Sequence, residues 1–216
     1  MNLSGILEAI GQLPAAEKLP EKVESSVIRE PLGLQPSARP PVLAHLFSKT
    51  GRTMLLICGR VESVPTWMQE LESWLPPGSG LVRFPEPTPL PYERGPWSSL
   101  SRNKRLSVLS HLAQILDHEL STSETPTLVV TSARALLHYT LPLSKFLTAA
   151  ANLQLGQRVD LEKLEHSWID IGYEPSSVVE AVGQFSRRGG IIDIFPIAAN
   201  KPYRIERSKP RILQIN

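Results

Sequence analysis

The chain has 216 residues, 41% of them apolar, which is enough for one large domain, or a medium domain with a small one attached, without cross-links. A single cysteine, Cys58, excludes an internal disulfide framework and suits a reducing compartment. The net charge of +2 excludes nothing by itself, no apolar run approaches the ~18 residues of a membrane span, and the N-terminus MNLSGILEAIGQLP lacks the basic start of a signal peptide, so a cytoplasmic protein is expected.

In chain order, NLSGILEAI has helical spacing, with Leu3, Ile6, Leu7 and Ile10 on one face. Residues 14–41 are Pro-rich and irregular, with a strand expected near Val27 and Ile28. PPVLAHLFSKTG begins with prolines and stops at Gly51, which predicts a short helix. TMLLICG predicts a buried strand. VPTWMQELESWLPPG predicts a helix with Trp67, Leu71 and Leu75 on its inner face. GLVRFP is the next strand. SRNKRLSVLSHLAQILDHEL is the longest predicted helix, with Leu106, Leu109, Leu112, Leu116 and Leu120 along one stripe. TPTLVVTSARALL is a third strand entering a helix capped at Ser132. Strands separated by 10- to 20-residue crossovers predict a parallel sheet covered by helices.

The pattern changes near residue 145. One predicted helix follows Asp160, which is placed to cap it. Close-spaced strands come next, SSVVEAV, GQFSRR, GGIIDIFPI and YRIE, and local pairing through tight turns is antiparallel. The expected organisation is therefore an α/β domain over 1–145 and a smaller α+β domain over 146–216.

The charge is unevenly spread. From Arg187 to the end, Arg187, Arg188, Lys201, Arg204, Arg207, Lys209 and Arg211 face only Asp193 and Glu206. A basic tail suits an acidic partner, protein or nucleic acid, or is simply a solvated edge. In QFSRRGGIIDIFP the paired glycines supply the bend, and the arginines project a planar fork of donors suited to carboxylates. Those carboxylates belong either to the domain itself or to a partner.

Elements of catalysis are missing from the pattern. A phosphate loop needs glycines, a lysine and then a Ser or Thr. In LGLQPSARPPVLAHLF, Gly33 stands alone and Pro36, Pro40 and Pro41 remove donors. His45, His111, His118, His138 and His166 form no pair at metal-ligand spacing, and Cys58 has no neighbouring ligand. No Gly-x-Ser-x-Gly turn occurs. Trp97, in YERGPWSS, is a loop aromatic that either makes a contact or packs back on its own domain. No cofactor is expected, and nucleotide hydrolysis is not expected.

FPEPTPLPYERGPWSSLSRNKRLSVLSHL resembles the strand, Leu-Pro-Tyr-(Glu/Asp) turn and long helix of the bacterial transcription-repair coupling factor (Mfd) family. LVVTSARALL resembles the strand and turn that follow it. The stretch from GQRVDLEKLEHSWIDIGYEP through QFSRRGGIIDIFPIAANKPYRIE looks like the small domain that this family shares with the excision-repair protein UvrB. Its pattern is Gly-Tyr, then Gly-x-Phe-x-x-Arg-Gly, then a strand ending in Phe-Pro, then Pro-Tyr-Arg. The likeness spans roughly residues 30–206.

The resemblance implies a helicase-like parallel α/β domain with a degenerate phosphate loop, and a UvrB-type small domain that docks on UvrA. PYERGPWSSLSRNKR is too short for UvrB's DNA-clamping hairpin, which favours the coupling factor. By position, Arg188 and Arg204 match the family's UvrA-contacting arginines, and Arg187 stands beside them. The implied function is a non-enzymatic interaction module. RNA polymerase and DNA would be met through domains, including the ATP-driven translocase, that this chain does not contain. The alternative is nucleic-acid binding by the basic tail. After PYRIE the chain departs from the family: it reads RSKPRILQIN, Ser208 stands where a contact phenylalanine is expected, and a truncated, incomplete small domain is the expectation.

Overall fold

The apolar runs MLLIC, GLVRF and TLVVTS form β1 (Met54–Cys58), β2 (Gly80–Phe84) and β3 (Thr127–Ser132). They pair in the order β1-β3-β2, all parallel, with Leu56 opposite Val130 and Leu81 opposite Leu128. The computed structural model describes residues 2–24, 31–89, 92–93, 95–116, 125–140, 142–144, 153–197, 199, 201–208 and 211–215. The strand expected near Val27 and Ile28 lies outside them. Contacts divide the chain into two units, Met1–Gly95 with Thr122–Tyr139, and Pro96–Ser121 with Thr140–Asn216.

In the first unit, short N-terminal helices α1 (Leu7–Gly11), α2 (Pro14–Glu17) and α3 (Leu19–Glu24) precede α4 (Arg39–Thr50). Helix α4 ends as its sequence predicts, at Gly51 with φ of 60°, a left-handed cap that glycine adopts without a Cβ penalty. Gly11 serves a different purpose: a Cβ there would overlap the His45 imidazole, so the bare backbone lets α1 approach α4. After β1, α5 (Ser63–Trp74) packs Val64 and Leu71, both fully buried, against Leu128 and Val130 of the central strand. Leu75 is buried in the same core and Trp67 lies against it. Burying a leucine-sized side chain contributes about 1.5–3 kcal/mol, and this cluster is the main hydrophobic term of the unit. Strand β3 is buried along its whole length, as expected for the centre of a parallel sheet. Ser132 then caps α7 (Ala133–Leu136) by accepting the Ala135 N–H at 3.2 Å. Cys58 is buried, and that burial raises its thiol pKa, which disfavours the thiolate form.

The second unit begins with α6 (Ser99–Leu116). Its buried positions are Arg105, Val108 and Ala113. The leucine stripe is rotated from the place its spacing predicts: Leu106, Leu109 and Leu112 are half-buried and Leu116 is exposed. The Arg105 guanidinium sits 5.4 Å from the Trp97 ring centre, a cation–π contact that turns this face inward. Trp97 therefore packs on its own unit.

Asp160 caps α8 (Leu161–Asp170), its carboxylate accepting the N–H groups of Glu162 and Lys163. The helix lays Leu161 and Trp168 on one face of a five-stranded sheet. The strands are β4 (Glu174–Pro175), β5 (Gln184–Arg188), β6 (Ile191–Ile194), β7 (Tyr203–Ser208) and β8 (Arg211–Ile215), in sequential order. Strands β5 to β8 are antiparallel, while β4 joins β5 in parallel. Phe185, Ile192, Ile194, Ile205 and Ile212 alternate onto the helix side and form the core.

Two strand expectations change. SSVVEAV is irregular, because local bonds claim its polar groups: Ser176 Oγ donates to the Val178 carbonyl, and Gln184 Oε1 accepts the N–H groups of Glu180 and Ala181. RILQI, in the tail expected to depart from the small-domain pattern, forms β8 and buries Ile212. Its outer edge exchanges bonds with the loop at Gly156 and Gln157. Among the described residues no helix is long and apolar enough to cross a membrane, and no cluster of His, Cys, Asp and Glu is suited to a metal.

Candidate docking face on the small sheet

Alternation along β5 sends its two arginines to opposite sides. Arg187 shares the helix side with Phe185, and there it pairs with Glu165 of α8 at 3.0 Å. Arg188 points to the other side, away from the core that α8 covers. The bend between β5 and β6 is the two-residue Gly189–Gly190, with Gly189 at φ of 64°. A short hairpin turn needs that left-handed conformation, which explains the glycines after the arginines.

The outer face is ordered by strand register. Ser186, Asp193 and Arg204 stand side by side across β5, β6 and β7. Arg188, Ile191 and Glu206 form the neighbouring row. Arg204 grips Asp193 side-on, Nε to Oδ1 at 2.7 Å and Nη2 to Oδ2 at 2.9 Å. The bond from Arg204 holds the Asp193 carboxyl below the usual carboxylate range, and the charge of Arg188 adds to the effect. The same bond raises the Arg204 pKa.

Arg188 differs from its neighbours. It is exposed, and its Nη2 donates to the Ser177 carbonyl at 2.8 Å. Among the described residues it forms no ion pair. Ser186 Oγ donates to the same carbonyl at 3.3 Å, so the irregular segment after Pro175 is tied down beside Arg188. Ile191, an exposed apolar side chain, lies next to it in register. The face thus offers one guanidinium held by a main-chain carbonyl, one held by a carboxylate and an apolar spot, with Asp193 and Glu206 balancing the charge.

Of the arginines read from the sequence, Arg188 and Arg204 share this face, while Arg187 lies on the other side in an ion pair with α8. Sequence reasoning missed Glu165, Asp193 and Ser177 as partners. Asp193 carried a signal: within IIDI it takes the outward position of an alternating strand. Ser177 carried none, because its contribution is a main-chain carbonyl. The side chains of Arg207, Lys209 and Arg211 lie outside the described residues.

The first unit has an open groove of about 780 Å³ by the start of α4, lined by Arg39, Arg60, Glu62, Trp67 and Glu70 among others. The prolines in the first turn of α4 remove backbone donors that a phosphate would use.

Residues 151–216 match the UvrB interaction domain family. Across 81% of its length the chain is 32% identical to the transcription-repair-coupling factor of Myxococcus xanthus and 30% identical to that of Bacillus subtilis. It is 26% identical to that of Staphylococcus aureus. The chain spans 14% of the length of these relatives.

Proposed function

For a chain that carries a UvrB interaction domain and is similar to the transcription-repair-coupling factors, we propose the role of a non-enzymatic docking module that binds UvrA and thereby brings excision repair to stalled transcription. One observation carries the reading. Within the matched domain, Arg188 projects from a rigid hairpin with a main-chain carbonyl as its hydrogen-bond acceptor, beside the Arg204–Asp193 pair. An exposed guanidinium beside an apolar side chain suits a carboxylate-bearing protein surface.

The balance of charges on the face supports a protein partner over DNA, since the phosphate backbones that dominate a duplex surface would meet Asp193 and Glu206 unfavourably. The prolines at the start of α4 support the absence of nucleotide turnover. The proposed division of labour is an α/β scaffold over 1–145 and a docking domain over 146–216.

Calorimetric titration of the chain with UvrA, without DNA, tests the reading. Saturable binding that varies weakly with salt is expected. No binding to UvrA, together with DNA binding whose logarithm falls with log salt at about −0.9 per phosphate contact, would replace this reading with the nucleic-acid one.

A further inference from the structure

We propose that Asp193 is the positioning residue of the docking face, holding Arg204 in the one orientation that a partner can use. The inference rests on the docking role proposed above. Its ground is the side-on pair between neighbouring strands, 2.7 and 2.9 Å, at matched register positions. Arg204 is 53% exposed, and a long surface cation left alone would sample many rotamers. Strand β6 fixes the Asp193 backbone, and the Asp193 carboxylate is only 24% exposed. The pair engages two of the guanidinium's five N–H donors and leaves the remaining three in a fixed plane. Asp193 also lies within the field of Arg188, so it offsets the repulsion between the two arginines as both approach one partner.

Positioning and simple attraction make opposite predictions. Asp193→Asn adds one positive charge to the face. If an acidic partner were held only by net charge, binding would tighten. If Asp193 positions Arg204, binding weakens, because Arg204 must be ordered anew on docking.

The test uses the full chain and UvrA. Asp193→Asn is expected to weaken binding by about tenfold, and Asp193→Glu to stay within about threefold of the parent chain. Arg204→Ala and the double variant Asp193→Asn/Arg204→Ala are expected to bind alike, since residues that act as one unit are not additive. A second measurement needs no partner. In the free chain the Arg204 Nε–H resonance should exchange slowly with water, and should lose that protection in Asp193→Asn. Unchanged or tighter binding of Asp193→Asn, or an Arg204 resonance indifferent to the substitution, would overturn the proposal. If the parent chain does not bind UvrA, the docking role is lost, and the Arg204 resonance alone decides whether Asp193 orients it.

Discussion

Trp168 of α8 and Phe185 of β5 pack edge to edge-on face, with ring centroids 5.3 Å apart and planes at 62°. Two residues beyond Phe185 the same strand side carries Arg187 into its ion pair with Glu165. One helix thus holds the strand that presents Arg188 by an aromatic contact and by a salt bridge. Truncating the tryptophan should loosen the presenting strand without touching the face itself. Trp168→Ala is expected to cost about 3–5 kcal/mol, as for other large aromatic-to-alanine changes in a core. Urea unfolding followed by amide signals of β5 and β6 measures it. Because the two units need not unfold together, signals from β1 and β3 serve as the internal reference.

The Asp193–Arg204 pair should give the small sheet a specific acid sensitivity. The folded carboxyl is held below its ordinary value, near 3.9 in unfolded chains, by the hydrogen bond from Arg204. A depressed folded pKa contributes stability that is fully present above the unfolded value. It is lost as pH falls through the folded value. The parent chain should therefore lose more stability than Asp193→Asn on going from about pH 5 to below pH 4. The difference should shrink in 1 M salt, since the pair is partly exposed and screened. Paired urea titrations across that range check the sign. An equal loss in both chains would mean that other carboxylates govern the transition.

Most of the strands and the helix caps were legible because they depend on local pattern. The runs MLLIC and TLVVTS announce strands, though only the second is buried throughout while Leu55 and Ile57 of the first are exposed, and Gly51, Ser132 and Asp160 cap helices where their residue types say they should. Long-range placement was not. SSVVEAV has strand propensity, yet side-chain bonds from Ser176 and Gln184 close it into a turn. The leucine stripe of α6 is turned aside by an arginine over Trp97, a contact that no periodicity contains. In the candidate face, QFSRRGG pointed to the arginines, and strand alternation separates Arg187 from Arg188. The pairing of Arg204 with Asp193 depends on the register between β6 and β7, which the sequence between the two strands leaves open.

The Asp160 cap is a local test of α8 as the support of the sheet. Its carboxylate accepts the Glu162 N–H at 3.1 Å and the Lys163 N–H at 3.4 Å. Asp160→Ala leaves those donors to water and removes a favourable charge at the helix start. A cost of about 1 kcal/mol is expected, and Asp160→Ser should recover most of it. Chemical denaturation monitored by the amide signals of α8 and β5 reads both. A neutral Asp160→Ala would mean that packing of Leu161 and Trp168 alone sets the helix end.

Arg188, Arg187 and Lys163 separate a docking contact from a fold contact and from diffuse charge. If Arg188 meets a partner carboxylate that becomes buried on docking, Arg188→Ala should cost roughly 2–5 kcal/mol of UvrA binding, because the partner's charge is left unpaired. The fold should survive, since Arg188 is exposed and buries no core surface. Arg187→Ala should act the other way round. It breaks the 3.0 Å bridge to Glu165 on the helix side and should lower stability by about 1 kcal/mol or less, with little effect on docking. Lys163 on α8 is 87% exposed and removes the same charge, so Lys163→Ala should change UvrA binding by under about 1 kcal/mol. Calorimetric titration of UvrA with each variant, with circular dichroism as the folding control, distinguishes the cases. Equal losses from Arg188→Ala and Lys163→Ala would reduce the face to general electrostatic attraction. A loss of fold in Arg188→Ala would assign that arginine to the bond with Ser177 rather than to a partner.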